Sequence, residues 1–486
     1  MSQSMPPPSC PGCLQRDEAI AALQQQVADL QRQLDELRAK LDESQRASKR
    51  QAAPFRRRLA NPNPKPPGRP PGHARASRPL PARVDRVVDV PCECCPDCQL
   101  PLIEPTVQAQ YQTDLPPVVP VVTRFDVHGG LCPRCRRFHQ GRHPEMISDA
   151  LGAAANQIGP VALSMAAELK HHFGVSYRKI TAFFQTYFDL RLGHATLVRA
   201  EQRLTRKAQP TFNLLKEALR LCSIVHADET GWRIGRVNAW LWVFSSKGLT
   251  VYAIRTSRGH EVPEEILGAG FEGILIVDGW SAYDVLDCKK GRCNAHILRR
   301  CKDLIEQGAK PSDARHLDDL IELLRRGMAL AEQYGALTEQ DYWQRVRVWE
   351  DEWLDWLAQT RRAGPEVQKV KRHLFDHAEE FQRFLFEPGV PPTNNHAERM
   401  VRPAVITRKT GGCNKTLLGA CVHAVLTSLM ASVRQQGKRF IDLALLLWRM
   451  PEVEGVEVEQ WPNRPPSSRV AEIEAVQARP LAVPTG

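Results

Sequence analysis

Ser223-Ile224-Val225-His226-Ala227-Asp228 is a short apolar run that closes on an acid. Gly273-Ile274-Leu275-Ile276-Val277-Asp278 repeats the pattern downstream. Between them lie Ala239-Trp240-Leu241-Trp242-Val243-Phe244 and Thr250-Val251-Tyr252-Ala253-Ile254, with Gly248 placed for a turn. Runs of this length, rich in β-branched and aromatic residues and bounded by turn formers, read as strands. Trp232, Trp240 and Trp242 are expected in the core of the sheet rather than on a base-stacking surface.

Three successive strands, the first acidic, followed by a fourth acidic strand, form the opening pattern of an RNase H-like sheet. A third acid, Glu398, stands far downstream in Asn394-Asn395-His396-Ala397-Glu398-Arg399, at what reads as a helix start. Acids at strand ends plus one helical Glu can gather oxygen ligands for two Mg²⁺ or Mn²⁺ ions. Two such ions serve both sides of an in-line displacement at a phosphodiester. Glu229 should face away from Asp228, because side chains alternate along a strand. Asp284 and Asp287 are read as surface carboxylates.

The rest of the 486 residues surrounds this core with modules. Apolar content of 42% and charged content of 25% are ordinary for globular chains, and the length allows several domains. Residues 46–86 hold twelve Lys or Arg, nine Pro and a single acid, Asp85, which accounts for the whole formal excess of +11. Such a segment is extended and attracts a polyanion, with nucleic acid the usual one. Within it, Pro67-Gly68-Arg69-Pro70 carries a Gly-Arg-Pro core that suits a narrow minor groove.

Upstream, Ile20, Val27, Leu34 and Leu41 occupy heptad a positions, with Leu23, Leu30 and Leu37 at d. That is the pattern of a short parallel coiled coil and implies a homodimer or higher oligomer. No apolar signal core opens the chain and no run reaches the length of a membrane span, so secreted and membrane classes are set aside. The expectation is a cytoplasmic, nucleoid-associated protein. Its fourteen cysteines would be reduced there, and paired ones suggest metal. Cys95-x-x-Cys98 and Cys132-x-x-Cys135 can together hold one structural Zn²⁺, with Tyr111 to Val127 read as strand-like between them. Cys92, Cys94 and His139 leave the ligand set ambiguous, and Cys10 and Cys13 have no partner pair nearby.

Residues 175–204 read as two helices across a short turn, compatible with a helix-turn-helix. About 296–390 is again helical. The expected fold is therefore multidomain α+β. It comprises a leucine-zipper-like coiled coil (14–46), a basic Pro-rich linker (47–87), a zinc-binding domain (88–145) and a helical, helix-turn-helix-like region (150–215). An RNase H-like catalytic domain (216–415) follows, with the helical insertion inside it. A C-terminal helical domain (416–455) and a flexible tail (456–486) complete the chain.

With these residues in view, the chain resembles the insertion-sequence 66 family of Asp-Asp-Glu transposases. The resemblance is carried by the zipper-like helix, by Gly68-Arg69-Pro70-Pro71-Gly72-His73 and by the four paired cysteines. In the core it is carried by His226-Ala227-Asp228-Glu229-Thr230, Val277-Asp278-Gly279-Trp280, Asn395-His396-Ala397-Glu398-Arg399, Arg402-Pro403 and Arg408-Lys409. It implies Asp228, Asp278 and Glu398 as metal-binding catalytic carboxylates. It also implies Cys293-Asn294-Ala295-His296 as a Cys-x-x-His element that positions the insertion. Arg69, Arg399, Arg402, Arg408 and Lys409 are candidate DNA contacts. Thr410-Gly411-Gly412-Cys413 departs from the family pattern, in which Arg-Lys is usually followed by Asn and an aromatic-rich stretch.

The implied activity is Mg²⁺-dependent cleavage and strand transfer of double-stranded DNA, at element ends and target, alongside companion proteins of the same element. The alternatives are a nuclease without strand transfer and a zinc-containing dimeric DNA-binding regulator.

Overall fold

The structure is a computed structural model, and it describes residues 23–34, 80–103, 106–116, 118–359 and 363–463. The chain divides into two compact units, Met1–Leu115 and Pro116–Gly486. In the first unit, α1 (23–34) is helical and leaves Leu23, Val27, Leu30 and Leu34 exposed. The remainder of the zipper-like region, Cys10, Cys13 and the basic linker with Arg69 lie outside the described residues.

The second unit opens with a small antiparallel hairpin, β1 (Gly129–Leu131) and β2 (Phe138–Gln140). The strand-like reading of Tyr111 to Val127 fails, since residues 106–116 and 118–127 carry no regular structure. Pro116 and Pro120 lack the N–H a ladder needs.

Three helices follow: α2 (Pro160–His171), α3 (Tyr177–Phe188) and α4 (His194–Arg220). The turn between α3 and α4 is set by Asp189, which adopts the left-handed conformation at φ 47°. The second helix of this pair runs well past Leu204, because apolar residues keep helical spacing through Ala208, Phe212, Leu215 and Leu219, all buried.

The centre is a five-stranded sheet of β3 (Ile224–Ile234), β4 (Val237–Ser245), β5 (Thr250–Arg255), β6 (Ile274–Val277) and β7 (Lys289–Arg292). Its order is β5-β4-β3-β6-β7, with β3, β4 and β5 antiparallel and β6 and β7 added parallel to β3. Asp228 does not end its strand as the apolar run suggested. β3 continues to Ile234 and turns at Gly235, φ +59°, into β4. The strand β7 is Lys-Lys-Gly-Arg, polar by sequence yet largely buried. Arg292 is 2% exposed and is paired with Asp284 and Glu380. Asp284 and Asp287 are exposed, as expected.

Alternation divides the sheet into two faces. Val225, Ala227, Trp242, Phe244, Leu275 and Val277 pack with α2, α3, α4, α12 (Leu417–Gln435) and α13 (Phe440–Arg449). On the other face, Trp232, Ile234, Leu241 and Val243 pack with α11 (Asn395–Gly411), while Ile274 and Ile276 pack with a helical cluster. That cluster is α6 (Asn294–Glu306), α7 (Pro311–Ala331), α8 (Glu339–Gln359), α9 (Pro365–Asp376) and α10 (Ala378–Phe386). Trp349, Trp353 and Trp356 fill its centre. One short helix, α5 (Glu261–Leu267), links β5 to β6.

An edge strand exposes unpaired N–H groups, and β5 has its edge covered. Ser432 Oγ accepts from Thr250 N at 2.9 Å, and Ser428 Oγ accepts from Tyr252 N at 2.8 Å, both from α12. α12 is long and apolar enough to cross a membrane by composition, against the expectation of no such run, and 67% of its apolar window is buried in this core. Val456 and Trp461 also belong to the core, where Val456 N donates to Thr211 Oγ1 at 3.0 Å. The expected loose tail is therefore anchored at its start, because these apolar side chains find a pocket beside α4.

A polar cluster sits inside the helical layer. His171 Nδ1 meets His423 Nδ1 at 2.9 Å, His171 Nε2 lies 3.3 Å from Glu201, and Tyr177 donates to Glu201. His423 stacks on Trp232 of β3 at 5.4 Å, so the cluster ties α2 and α4 through α12 to the sheet.

Candidate functional site

Register places two of the three acids side by side. Parallel pairing matches Ile224 with Ile274 and His226 with Ile276, so Asp228 and Asp278 fall at the same level, two residues further along adjacent strands. Neighbouring strands stand about 4.8 Å apart. Both acids share the parity of Ile274, Ile276 and Trp232 and face the side covered by α11 and the helical cluster. Glu398 lies in the first turn of α11, which packs on β3 and β4 over that same face. The three carboxylates do not all close to within 4.8 Å of one another.

Asp278 ends β6. Gly279 follows at φ +104°, a conformation that favours glycine, and Trp280 N donates to Asp278 Oδ1 at 3.0 Å. The Asp228 Oδ1 accepts from Glu229 N at 2.8 Å. Burial, reinforced by the charges of Glu229, Asp278 and Glu398, pushes the Asp228 carboxyl up to about 7. No basic group counters this shift among its causes. A buried carboxyl held among like charges is the setting a divalent cation neutralises, so these carboxylates could hold one.

Glu229 points to the opposite face, as alternation requires. Its pair on β4 is Trp242, whereas that of Asp228 is Val243. Arg258 donates to Glu229 at 2.6 Å and Tyr283 Oη donates to it at 2.9 Å. Burial raises the Glu229 carboxyl above its usual range. Arg258 itself lies between Trp240, 4.6 Å from its guanidinium, and Trp280, at 3.6 Å. Trp232 and Trp242 are buried, as expected, and Trp240 is half-buried beside Arg258.

The residues around Glu398 act as fasteners. Asn394 precedes α11, donates from Nδ2 to the Ala227 carbonyl at 2.7 Å and hydrogen-bonds His226 Nδ1 at 3.0 Å. His396 Nε2 lies 2.9 Å from Ser245 Oγ and 2.8 Å from the Ser246 carbonyl, at the end of β4. Arg408 donates to Thr230 Oγ1 at 3.2 Å and to the Gly231 carbonyl, which turns it onto β3. Arg399, Arg402 and Lys409 are exposed along α11. Cys293, the residue before α6, donates its N–H to the Val277 carbonyl at 2.9 Å, and its Sγ accepts from Asn394 N at 3.1 Å. A chain of bonds thus runs from the residue before Asp278, through Cys293 and Asn394, to the residue before Asp228. Neither Asn394 nor Arg258 was marked by the sequence. The duplicated Asn before His-Ala-Glu and the lone Arg after β5 were the available signals.

The cysteine pairs form matching local turns, one in each unit. Cys95 N donates to the Leu100 carbonyl and Gln99 N to the Cys95 carbonyl, with Gln99 at φ 61°. Cys132 N donates to the Arg137 carbonyl and Arg136 N to the Cys132 carbonyl, with Arg136 at φ 58°. Backbone N–H groups, from Cys98 and Asp97 in one case and chiefly from Cys135 in the other, hold the Cys95 and Cys132 thiols below their ordinary values. His139 Nε2 lies 3.6 Å from Cys135 Sγ.

Two curated relatives align with parts of the chain. Uncharacterized protein y4qI of Sinorhizobium fredii is 26% identical over 42% of this chain and 42% of its own length. Uncharacterized protein y4jD of the same organism is 27% identical over 38% and 39%. The chain therefore spans about two fifths of the length of these relatives. A model of the family described as Transposase IS66 family matches residues 156–421, from just before α2 to the start of α12 and including all three acids. That is more than half of the sequence, and the chain belongs to the IS66 family of transposases.

Proposed function

We propose that this protein is a DNA transposase that binds the ends of an insertion sequence, cuts DNA there and joins it to a target. The observation that carries the reading is the convergence of Asp228, Asp278 and Glu398 on one face of the sheet. The strand order, a three-stranded antiparallel meander extended by two parallel strands, supports an RNase H-like core interrupted by α6 to α10. Asp228 and Asp278 would hold Mg²⁺ or Mn²⁺ from adjacent strands, and Glu398 would complete the set from α11. Bound ions supply an activated oxygen nucleophile on one side of the phosphodiester and charge stabilisation of the leaving oxygen on the other. The chain's part is to fix the carboxylates through Cys293, Asn394 and His396, and to hold DNA along the exposed Arg399, Arg402 and Lys409. Arg408, engaged with β3, keeps α11 in register.

The spacing of Cys95-x-x-Cys98 and Cys132-x-x-Cys135 is the ground for one zinc-binding module, and the lowered Cys95 and Cys132 thiols suit metal ligands. That module, the basic arm with Arg69 and the α3–α4 pair would read element ends, and α1 would pair two copies on two ends. Companion proteins of the same element and a nucleoid location complete the proposal. The discriminating experiment incubates the protein with Mg²⁺ and a DNA carrying its element ends plus a target plasmid. Joined product supports transposition. Cleavage alone makes it a nuclease, and binding without cleavage even with the companion proteins of the element present makes it a regulator.

A further inference from the structure

We propose that Cys293, His296 and Glu398 form a second, thiophilic metal site that takes Zn²⁺ and shuts the catalytic site by engaging Glu398. One ligand atom from each of the three lies within 4.8 Å of the other two. Tetrahedral Zn²⁺, with bonds of about 2.0–2.3 Å, needs ligand atoms about 3.3–3.8 Å apart, a closure that side-chain rotation supplies. The scaffold already favours it. Cys293 and His296 are one turn apart at the start of α6, with His296 N donating to the Cys293 carbonyl at 3.2 Å. His296 Nε2 stands 3.8 Å from Glu398 Oε1. The Nδ1 of the same ring is buried without a hydrogen-bond partner.

Charge and softness select the ion. A thiolate, a carboxylate and a neutral imidazole total −2, which a divalent cation cancels. Burial raises the Cys293 thiol and would keep it protonated, but the Asn394 N–H on Sγ opposes this, and a bound metal displaces the proton. A thiolate excludes Mg²⁺ and favours Zn²⁺. Cys293 is buried while His296 and Glu398 are each over one-third exposed, so three protein ligands would leave an open fourth position toward solvent. A Glu398 carboxylate drawn toward Cys293 and His296 is drawn away from Asp228 and Asp278, so zinc and catalysis compete. This last step rests on the reading of Glu398 as a catalytic carboxylate, whereas the metal binding does not.

The test uses the full chain, in which Cys95, Cys98, Cys132 and Cys135 are proposed to hold a further metal, so wild type and variants are compared by difference. Zinc content after equilibrium dialysis and Co²⁺ absorption are measured for wild type, Cys293→Ser and His296→Gln. Ser retains an acceptor for Asn394 N, and His296 is partly exposed, so at least one variant should keep the fold, which circular dichroism checks. The expected result is one metal equivalent fewer in each folded variant. Loss of a Co²⁺–thiolate charge-transfer band that depends on Cys293 should accompany it. Equal stoichiometry and superimposable spectra in a folded variant overturn the site.

Activity is the second readout. The Zn²⁺ concentration that halves Mg²⁺-dependent cleavage should rise at least about tenfold in the variants, since even an outer-shell partner changes metal affinity by roughly 10–100-fold. Unchanged inhibition with normal triad dependence overturns the competition. Zinc bound as predicted by a protein that never cleaves DNA instead overturns the proposed function and leaves the metal site standing.

Discussion

The side-chain amide of Asn394 donates to the Ala227 carbonyl at 2.7 Å, joining the helix that carries Glu398 to the strand that carries Asp228. The two residues are 167 positions apart, with β4 to β7 and α5 to α10 between them. With Arg408 on β3 and His396 at the end of β4, it brings a helical Glu from the far end of the core to the face of two strand acids.

Replacing Asn394 with Ala should therefore cost more than a cavity. It leaves the Ala227 carbonyl and His226 Nδ1 buried without their partner, a loss of about 1–3 kcal/mol. Chemical denaturation reads that loss. DNA cleavage should fall further than the stability change accounts for, because Glu398 loses its anchor. A variant as stable as wild type would show that the bond is incidental.

The Asp228 carboxyl gives a pH dependence with a fixed sign. Burial and then the neighbouring Glu229 and Asp278 charges raise it to about 7 in the metal-free protein. Because the folded value lies above the unfolded one, this group's contribution to stability is present at low pH and is lost as pH rises through about 7. A divalent ion must displace that proton, so Mn²⁺ should bind about tenfold more weakly for each pH unit below 7. Titration of Mn²⁺ at pH 5.5, 6.5 and 7.5 checks it. An affinity independent of pH over that range would place the ion elsewhere.

Much of this core was legible in the sequence, for physical reasons that also mark the limits. β4, β5 and β6 are buried on both faces, so they read as apolar runs and were found within a few residues. The outer half of β3 was missed because Glu229, Thr230 and Arg233 interrupt its pattern, although Trp232 and Ile234 keep the period. β7 was invisible because its buried Lys290 and Arg292 are compensated by Asp284, Glu380 and backbone carbonyls rather than by apolar neighbours. Asp228 and Asp278 stood out as acids against apolar runs. Glu398 needed a family motif, because what brings it in is one Asn side chain and two strand carbonyls, which no periodicity reports.

The two Cys turns predict a metal-dependent fold of residues 88–145. Purified protein should carry structural zinc, and Cys132→Ser should lower the zinc content and make this region sensitive to proteolysis. Identical digestion with and without a chelator would remove the module.

The exposed a and d side chains of α1 predict self-association through that helix. Val27→Asp with Leu30→Asp should shift the protein from dimer to monomer in sedimentation velocity at equal concentration. A variant that sediments like wild type would assign association to another surface.

The catalytic site is tested most directly by one assay, cleavage and joining of DNA bearing the element ends with Mg²⁺. It compares wild type with Asp228→Asn, Asp278→Asn, Glu398→Gln and Glu229→Gln. The first three should each lose at least about 100-fold in rate, roughly 2.7 kcal/mol of barrier at about 1.36 kcal/mol per factor of ten. Glu229→Gln, on the opposite face with Arg258 and Tyr283, should lose stability while retaining metal-dependent cleavage. Retained activity in any of the first three, or complete loss in Glu229→Gln with the fold intact, would contradict the assignment of Asp228, Asp278 and Glu398 as one catalytic site.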